Sequence, residues 1–434
     1  SAIHANFEVP ERAAALLDGL SRLGLAPETV APATRAQAEA VHRPDYLDFL
    51  SGAARAWAAL PEPRGREAVA NVHPAPEMLA NGARPGEGIV GRVGWYTAEL
   101  IDAVSAAMPQ DDLFVLPISW RTATQLEIGR PNASVVRRFM PARPLQLSWQ
   151  RVSLPPLEWF LRCDVFHATN FIAPPAWRTP VVVTVHDLSF VRHPESCLPP
   201  VRAFAHLLPP VLRRASAVIA VSEFTAGELC EWMPEVSDRV QVVPNGGHHR
   251  AVPTSTGLPP GPPYVLLLGT LGVRKNLPLL LDAYAALRRS GVELRLVLAG
   301  ARDPLVDLHQ LLAERRLLDG VTVTGYVDDG RAAALLEGAA ALAFPSLYEG
   351  FGMPLIEAMD AGTPVVAVRS GASPETVGDA AVLIDPGDAA GLAAVTTDGG
   401  LRSRLIEAGR RRAQDFSWAR TAEKTIAVYR RVAR

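Results

Sequence analysis

Short apolar runs alternate with amphipathic segments from about residue 94 to the end of the chain. The short runs predict buried strands, and the segments between them repeat their apolar positions at helical spacing. The predicted strands are residues 113–118, 164–168, 180–187, 217–222, 240–246, 264–269, 293–300, 321–325, 341–346, 364–368 and 381–385. Strands that alternate with helices predict an α/β fold with parallel sheets covered by helices.

A segment rich in Pro, Gly and Ser, residues 251–263, divides this series in two and is typical of a linker. The pattern therefore predicts two Rossmann-like, doubly wound domains, residues 94–250 and 264–415. Ligands of such sheets bind at the carboxyl ends of the strands. We therefore expect a ligand site in the cleft between the two domains.

Residues 1–93 follow a different pattern. Their first apolar positions are spaced as on one face of a helix, and a second helix is predicted over residues 34–59. Residues 60–92 are rich in Pro and Gly, which favours loop. We find no series of alternating strands and helices here, so we expect a separate, mainly helical and loop segment.

The amino-acid composition excludes several classes of protein. Apolar residues make up 48% and charged residues 20% of the chain, which indicates a folded globular protein rather than a disordered one. The net charge of −2 gives no global basic field, so we expect no nucleic-acid partner. No apolar run has the length of a membrane span. The three cysteines lack metal-ligand spacing, so we expect no metal site, and their odd number excludes a fully paired disulfide framework. This cysteine content favours a reducing, cytoplasmic setting.

The strongest motif is YEGFGMPLIEAMDAGT, which follows a predicted strand. Gly350 and Gly352 permit close approach of the backbone to a ligand, and the nearby proline is favoured at the start of a helix. Such a helix start presents free N–H groups that bind phosphate. Glu349 and Glu357, on either side of it, would accept hydrogen bonds from sugar hydroxyls. The motif therefore predicts a nucleotide-sugar site; the alternative is an ordinary strand-turn-helix with two surface glutamates.

The second motif, GTLGVRKNL, begins at Gly269 after the first strand of the second domain. Arg274 and Lys275 lie at the start of the next helix, where cations are electrostatically unfavourable unless an anion is bound. Two cations there would neutralise a diphosphate and stabilise it as a leaving group. Lys275 is also one of only two lysines in the chain. The alternative is a solvated charge pair.

The third motif, VVVTVHDLSF, places His186 and Asp187 directly after an apolar strand of the first domain. Loops at this end of the sheet face the cleft, so His186 is a candidate for contact with a transferred sugar. Asp187, and Asn170 at the end of the neighbouring strand, are candidates on the acceptor side. A histidine at the end of a strand is also common as a purely structural residue, so both interpretations stay open.

Together these motifs resemble those of the family-4 retaining glycosyltransferases, which have the GT-B fold. The resemblance covers residues 94–434 and is carried by VGWYTAEL, VFHATNF, VTVHDLSF, AVIAVSEFT, VVPNG, LGTLGVRKNL, VTGYVDD and FPSLYEGFGMPLIEAMDAGTPVVA. It implies two domains that face each other across a cleft, and a last helix, residues 416–434, that crosses back to the first domain. Gly247, Gly272 and Asp360 depart from the usual family residues, and none of them is a predicted site residue.

The resemblance also implies a role for each main site residue. Arg274 and Lys275 would hold the donor diphosphate, Glu357 the ribose and Glu349 the transferred sugar, with His186 near the reacting centre. It implies retention of the anomeric configuration, with no metal or other cofactor. The predicted donor site comprises Gly269, Arg274, Lys275, Glu349, Gly350, Phe351, Gly352, Met353, Pro354, Leu355 and Glu357.

Residues 1–93 instead resemble the beginning of acetylpolyamine amidohydrolases, relatives of histone deacetylases, in FEVPERAAALLDGL, VHRPDYLDFL, AVANVHP and GIVGRVGWY. The motif-bearing zinc segment of that family is missing, so we expect this part to be non-catalytic. The strand that opens the first domain of the glycosyltransferases is absent or replaced at the join, residues 91–96. We therefore expect unpaired edges in the first sheet. Gly91 and Gly94 are candidates for a donor- or acceptor-binding loop at the join.

The sequence therefore predicts a retaining glycosyltransferase that moves a hexose, with mannose favoured, from a nucleotide diphosphate sugar to a glycan or lipid-linked acceptor. Two other functions stay open: a catalytically impaired nucleotide-sugar-binding fusion, and a zinc-dependent acetylpolyamine amidohydrolase. Residues 401–434 contain ten basic and three acidic residues. This excess indicates either a solvated helix face or peripheral contact with an anionic membrane.

Overall fold

The structure of the chain is a computed structural model. It describes residues 92–116, 128–136, 145, 148–149, 152–247, 254–385, 395 and 398–433. All of these belong to one compact unit, residues 90–434. The helices and loop predicted within residues 1–91, including Gly91, lie outside the described residues.

The first domain opens with helix α1 (Arg92–Ala107) and contains two parallel sheets. The smaller sheet pairs β1 (Leu113–Val115) with β2 (Ala133–Val135). The larger is formed, in spatial order, by β3 (Phe166–Ala168), β4 (Val181–Val185), β5 (Ala217–Ala220) and β6 (Val240–Val242). Its helices are α2 (Ser189–Arg192), α3 (Pro199–Arg202), α4 (Phe204–Arg214) and α5 (Glu223–Trp232).

The second domain is built on one six-stranded parallel sheet. Its strands are β7 (Tyr264–Leu268), β8 (Arg295–Ala299), β9 (Val321–Gly325), β10 (Ala341–Phe344), β11 (Val365–Val368) and β12 (Val382–Ile384). The helices between them are α6 (Leu277–Arg289), α7 (Leu308–Glu314), α8 (Asp329–Glu337), α9 (Met353–Asp360) and α10 (Ser373–Val377). The spatial order of the strands is β12-β11-β10-β7-β8-β9.

The strand order of this sheet reverses at β7. The chain continues from β7 to β8 on one side and returns to place β10 on the other. A crevice at the carboxyl ends of the strands, at such a switch point, is the usual ligand position in an open α/β sheet. The second domain thus presents its binding crevice between the loops that follow β7 and β10.

The continuous apolar sequence of β7 reflects burial on both faces of the sheet. Leu266 and Leu268 belong to one apolar cluster, whereas Val265 and Leu267 belong to the cluster on the opposite face. Successive side chains of a strand point to opposite faces, so a strand covered by helices on both sides has no polar positions. Strand β4 is also buried along its whole length, and its one polar side chain, Thr184, is hydrogen-bonded to the Tyr96 hydroxyl.

The last two helices, α11 (Gly399–Ala413) and α12 (Trp418–Val432), carry the chain back to the first domain. Trp418 packs against Tyr96 of α1, with ring centroids 5.9 Å apart. Near the end of α12, Val428 lies in an apolar cluster with Val182 and Ile219 of the larger first-domain sheet. In the part of the chain that the structure describes, no helix is long and apolar enough to cross a membrane.

Helix α1 links the two sheets of the first domain. Within the described residues, no strand pairs with the outer edge of β1 or of β3. Because residues 1–91 lie outside the described part of the chain, the expectation of unpaired edges stays a prediction. Helix α1 contacts both sheets. Thr97 Oγ1 donates to Thr169 Oγ1 beyond β3 at 2.9 Å, and Ser105 Oγ donates to Asn132 Oδ1 before β2 at 2.6 Å.

The start of α1 corrects one prediction. Helix α1 begins at Arg92, so Gly94 lies in its first turn and not in the predicted donor- or acceptor-binding loop. A single glycine is tolerated inside a helix at a cost of about 1 kcal/mol relative to alanine.

Candidate active site

Two loops of the second domain meet at the carboxyl ends of β7 and β10. The first carries the cationic motif, and the second is residues 345–352. The Leu347 N–H donates to the carbonyl oxygen of Arg274 at 2.9 Å, and Lys275 Nζ donates to Glu349 Oε1 at 2.6 Å. The structure therefore brings together the predicted cations and the first predicted glutamate, although Lys275 and Glu349 are 74 residues apart in sequence.

The charges of this cluster are partly buried. The side chains of Lys275 and Glu349 are 13% and 15% exposed. Burial by itself would raise the pKa of Glu349, but the charges of Lys275 and Arg274 outweigh it and hold that pKa below its usual value. Burial would likewise lower the pKa of Arg274, but the charges of Glu349 and Asp187 raise it above its usual value. The guanidinium and the Glu349 carboxylate therefore stay ionised near neutral pH.

Helix α9 begins directly beside this pair. Gly352 precedes it with φ of +90°, in the left-handed region that glycine adopts without strain, and no side chain caps the helix. Phe351, Pro354 and Leu355 are buried, which fixes the helix start in the core, and Met353 packs partly buried against the same cluster. An uncapped helix N-terminus carries partial positive charge and favours an anion.

Glu357 and Gly269 complete the predicted donor side. Glu357 lies one turn into α9 and is 4% exposed. A carboxylate this deeply buried needs polar partners to offset its loss of hydration. Gly269 has φ of +136°, and a Cβ there would lie 3.5 Å from Lys275 Cε. The positive φ at Gly269 thus lets the chain turn directly after β7, next to the Lys275 side chain.

His186 follows β4 in the first domain. Its Nε2 donates to the carbonyl oxygen of Thr169 at 2.9 Å, which leaves Nδ1 as the acceptor nitrogen of the neutral ring. Burial lowers the pKa of His186, and the Thr169 contact and the Asp187 charge oppose this shift only in part. Tyr96 packs edge-to-face against the ring, with centroids 4.7 Å apart. His186 is therefore a neutral imidazole in a fixed orientation.

The His186 loop touches the Glu349 loop at Gly350. A Cβ at Gly350 would lie 1.8 Å from the carbonyl oxygen of His186 and 2.9 Å from Asp187 Cβ. Only a residue without a side chain permits this approach of the two backbones. The loop that carries Glu349 and the loop that carries His186 are therefore in direct contact.

The remaining acceptor-side candidates make few contacts that point to a ligand. Asp187 Oδ1 accepts from the N–H of Ser189 at 2.9 Å, which is a local contact at the start of α2. Asn170 has a buried Oδ1 with no hydrogen-bond partner among the described residues. A buried oxygen of this kind suits a ligand hydroxyl. Gly94 lies within α1, and Gly91 lies outside the described residues.

Comparison with known families identifies the chain. A family model described as "Glycosyltransferase Family 4" matches residues 93–248, and one described as "Glycosyl transferases group 1" matches residues 250–412. The chain belongs to the family-4 glycosyltransferases. The matched regions of this glycosyltransferase contain the described candidate residues of both domains.

Individual relatives of this glycosyltransferase include two mannosyltransferases. The O-antigen chain mannosyltransferase B of Escherichia coli is 29% identical over 365 residues, 78% of this chain and 95% of that protein. The MMP α-(1→4)-mannosyltransferase of Mycolicibacterium hassiacum is 35% identical over 237 residues, 52% of this chain and 56% of that protein. Among solved structures, the sucrose-phosphate synthase of Thermosynechococcus elongatus aligns with a TM-score of 0.63 at 24% identity, over 79% of this chain and 93% of that one. The predicted GT-B fold is thereby confirmed.

The contacts that hold the two domains of the glycosyltransferase together are not predicted by any of the sequence motifs. The carbonyl oxygen of Gly350 accepts from Ser222 Oγ at 2.6 Å and from Thr225 Oγ1 at 3.1 Å. The Glu375 carboxylate accepts from the N–H groups of Glu223 and Phe224, at 2.9 and 3.1 Å. A serine directly before a helix predicts an N-cap, but nothing in the sequence indicates a contact with the other domain.

The alternative function as a zinc-dependent amidohydrolase requires a metal site, which can be looked for in the described residues. Among the described residues, no group of three or more His, Cys, Asp or Glu side chains is placed to hold a metal ion. The resemblance of residues 1–93 to amidohydrolases stays a prediction, because nearly all of that segment, residues 1–91, lies outside the described residues.

Proposed function

We propose that this glycosyltransferase moves a hexose from a nucleotide diphosphate sugar to a glycan or lipid-linked acceptor, with retention of the anomeric configuration and without a metal ion. The observation that carries the proposal is the meeting of Arg274, Lys275 and Glu349 beside the uncapped start of α9. Paired cations and a helix N-terminus suit a diphosphate, and a carboxylate among them suits the hydroxyls of the attached sugar.

In this mechanism the diphosphate is bound by Arg274, Lys275 and the N–H groups at the start of α9. These groups stabilise the negative charge that develops on the diphosphate as its bond to the anomeric carbon breaks. Glu357 accepts a hydrogen bond from the ribose, and Glu349 orients the transferred sugar. The acceptor hydroxyl attacks from the face that the diphosphate leaves, and the departing diphosphate takes its proton. We assign no protein nucleophile.

His186 has a supporting role in this scheme. Its Nε2 hydrogen is used by the Thr169 carbonyl oxygen, so Nδ1 is an acceptor for a hydroxyl of the sugar. The low pKa keeps the imidazole neutral, which avoids a further cation beside an oxocarbenium-like transition state. The names of two relatives favour mannose as the transferred sugar.

The first test is thermal stabilisation by a panel of nucleotide diphosphate sugars, with donor hydrolysis measured in the same samples. A ligand that binds the folded chain raises its melting temperature by mass action. Stabilisation is expected from one donor nucleotide, and it should be lost in Lys275→Ala. Lys424→Ala is the matched control, because Lys424 is the other lysine and is exposed on α12. Absence of stabilisation by every donor would contradict the proposal.

The anomeric configuration and the metal requirement are tested on the same protein. Proton NMR of the product of transfer to a simple sugar acceptor should show the configuration of the donor, and chelator should leave the rate unchanged. A second candidate is a chain that binds the nucleotide sugar without transferring it, because the cations and the helix start that would hold the diphosphate all belong to the second domain. Donor stabilisation without turnover on any glycan or lipid-linked acceptor would support that candidate.

A further inference from the structure

Tyr348 is a residue of the second domain whose side chain lies in the first. Its ring packs edge-on against His193, which follows α2, and against Phe224 of α5, with centroids 5.0 and 5.6 Å apart. The residue is 3% exposed. An aromatic ring buried between elements of the opposite domain fixes the relative position of the two loops more sharply than a surface contact does.

The hydroxyl of Tyr348 is satisfied entirely by the first domain. It donates to the Glu228 carboxylate on α5 and accepts from the Leu188 N–H at 3.0 Å. Glu228 Oε1 in turn lies 3.0 Å from Arg192 Nε of α2. Burial, with the neighbouring Glu228 carboxylate, raises the pKa of Tyr348, so the phenol keeps its proton and remains a donor.

These contacts lie directly beside candidate site residues of both domains. Tyr348 immediately precedes Glu349, and Leu188 follows His186 and Asp187 in the chain. The hydrogen bond from Leu188 to Tyr348 therefore ties the loop that carries Glu349 to the loop that carries His186. Both residues are buried.

We propose that Tyr348 is a positioning residue that aligns the Glu349 loop with the His186 loop, through its hydrogen bonds to Glu228 and Leu188. The inference rests on the proposed function, since alignment matters only if both loops act on one sugar. Diphosphate binding by Arg274, Lys275 and α9 needs the second domain alone. Loss of the Tyr348 hydroxyl should therefore lower turnover while leaving donor affinity unchanged.

The decisive measurement of the contact does not depend on activity. In Tyr348→Phe the ring remains and the hydroxyl is lost, so the Leu188 amide loses its acceptor. We expect that amide to exchange with solvent deuterium at least about tenfold faster than in the unmodified chain, with the amides of β4 unchanged. Equal exchange rates at Leu188 in the two proteins would overturn the proposal, whether or not the chain transfers sugar.

The kinetic test separates alignment from stability. Tyr348→Phe should lower kcat about three- to tenfold, which corresponds to one hydrogen bond, with KM for the donor unchanged. Glu228→Gln keeps an acceptor for the phenol and should retain both kcat and slow exchange at Leu188. A rise in KM with unchanged kcat in Tyr348→Phe would contradict the proposal. Failure of every protein to transfer sugar would count against the proposed function, and the exchange result would still decide the contact.

Tyr284→Phe is the matched control. The Tyr284 hydroxyl donates to Leu294 and Gly320 carbonyl oxygens, at 2.9 and 2.8 Å, within the second domain. This variant removes an equally well bonded phenol that is remote from the domain contact. It should lower the melting temperature without changing kcat or the exchange rate of Leu188. A fall in kcat as large as that of Tyr348→Phe would show that general destabilisation, and not alignment, explains the effect.

Discussion

Lys275 Nζ and Glu349 Oε1 lie 2.6 Å apart and join the loops that follow β7 and β10. The pair is mostly buried, and Lys275 also lies over the Phe344 ring, 4.6 Å from its centroid. A buried ion pair stabilises a fold weakly, but loss of one partner leaves the other charge unpaired. The pairing therefore has consequences for both stability and binding.

Glu349→Gln should separate donor transfer from nucleotide binding. The amide is nearly isosteric but neutral, so Arg274 and Lys275 lose their opposing charge. We expect a loss of about 1–3 kcal/mol in the free energy of unfolding. Transfer should fall about a hundredfold because the sugar is no longer oriented. The free nucleoside diphosphate, titrated calorimetrically, should bind equally or more tightly; weaker binding would contradict this arrangement of charges.

The same variant should change the dependence of stability on acid. The pKa of Glu349 in the folded chain is lower than its ordinary value of 4.5, so its ionised form stabilises the fold above that value. This stabilisation is lost as the pH falls through the folded-state pKa. Urea denaturation between pH 7 and pH 3 should show a smaller acid-induced loss of stability in Glu349→Gln than in the unmodified chain.

Gly350→Ala tests whether the backbones of the two loops must touch. A Cβ at that position would overlap the carbonyl oxygen of His186. This oxygen belongs to the backbone, so it cannot move away as the end of a flexible side chain could. We expect transfer to fall at least about a hundredfold because the loops are forced apart. Small-angle scattering should show a larger radius of gyration. Gly227→Ala on α5 is the control, since a Cβ there meets nothing within 4 Å. It should leave transfer unchanged.

The sequence predicted the second domain and its site more fully than the first. The continuous apolar sequence of β7 is a local signal that indicates a buried strand. The glycines and the proline near Glu349 are local signals that indicate where a helix starts. Because β7 and β10 are neighbours at the switch point, their loops meet, and the Lys275–Glu349 pair follows. Tyr348 and Glu375 could not be predicted, since their partners belong to the other domain. Gly94 was misplaced because a glycine near the start of a helix resembles loop sequence.

His167→Gln should reduce the sensitivity of the fold to mild acid. The ring nitrogens of His167 lie 2.6 Å from the Tyr429 hydroxyl and 2.7 Å from Thr184 Oγ1. Burial, with a smaller effect of His186, lowers the pKa of His167 to about 3 from 6.5. Below pH 6.5 His167 is protonated in the unfolded chain but stays neutral in the folded chain. The free energy of unfolding therefore decreases as the pH falls toward 3. The slope from this residue is up to about 1.4 kcal/mol per pH unit.

Urea denaturation at intervals from pH 7.5 to pH 4 measures that slope. We expect His167→Gln to be less stable than the unmodified chain at pH 7.5, because two buried hydrogen bonds are disturbed. Its stability should then fall less steeply toward pH 4. The exposed His309 on α7 provides the control variant, His309→Gln, which should keep the original slope. Equal slopes for all three proteins would show that His167 takes up its proton in the folded chain.

Glu375→Ala tests a helix cap that crosses between the domains. The carboxylate of Glu375, on α10, accepts from the first two N–H groups of α5, while the Ala372 N–H donates to the Glu349 carbonyl oxygen at 2.9 Å. Removal of the carboxylate should cost about 1 kcal/mol, the usual value of a lost cap. Because this cap lies on the same segment as a contact to Glu349, its loss should also lower transfer.

Asp398→Ala is the control, because it removes a comparable cap from α11 that does not cross between the domains. Asp398 Oδ1 accepts from the Leu401 N–H at 2.9 Å. The two variants should lose similar stability, and only Glu375→Ala should lose activity at a temperature where both are folded. Equal activities would mean that the Glu375 contact contributes to stability but not to the alignment of the two domains.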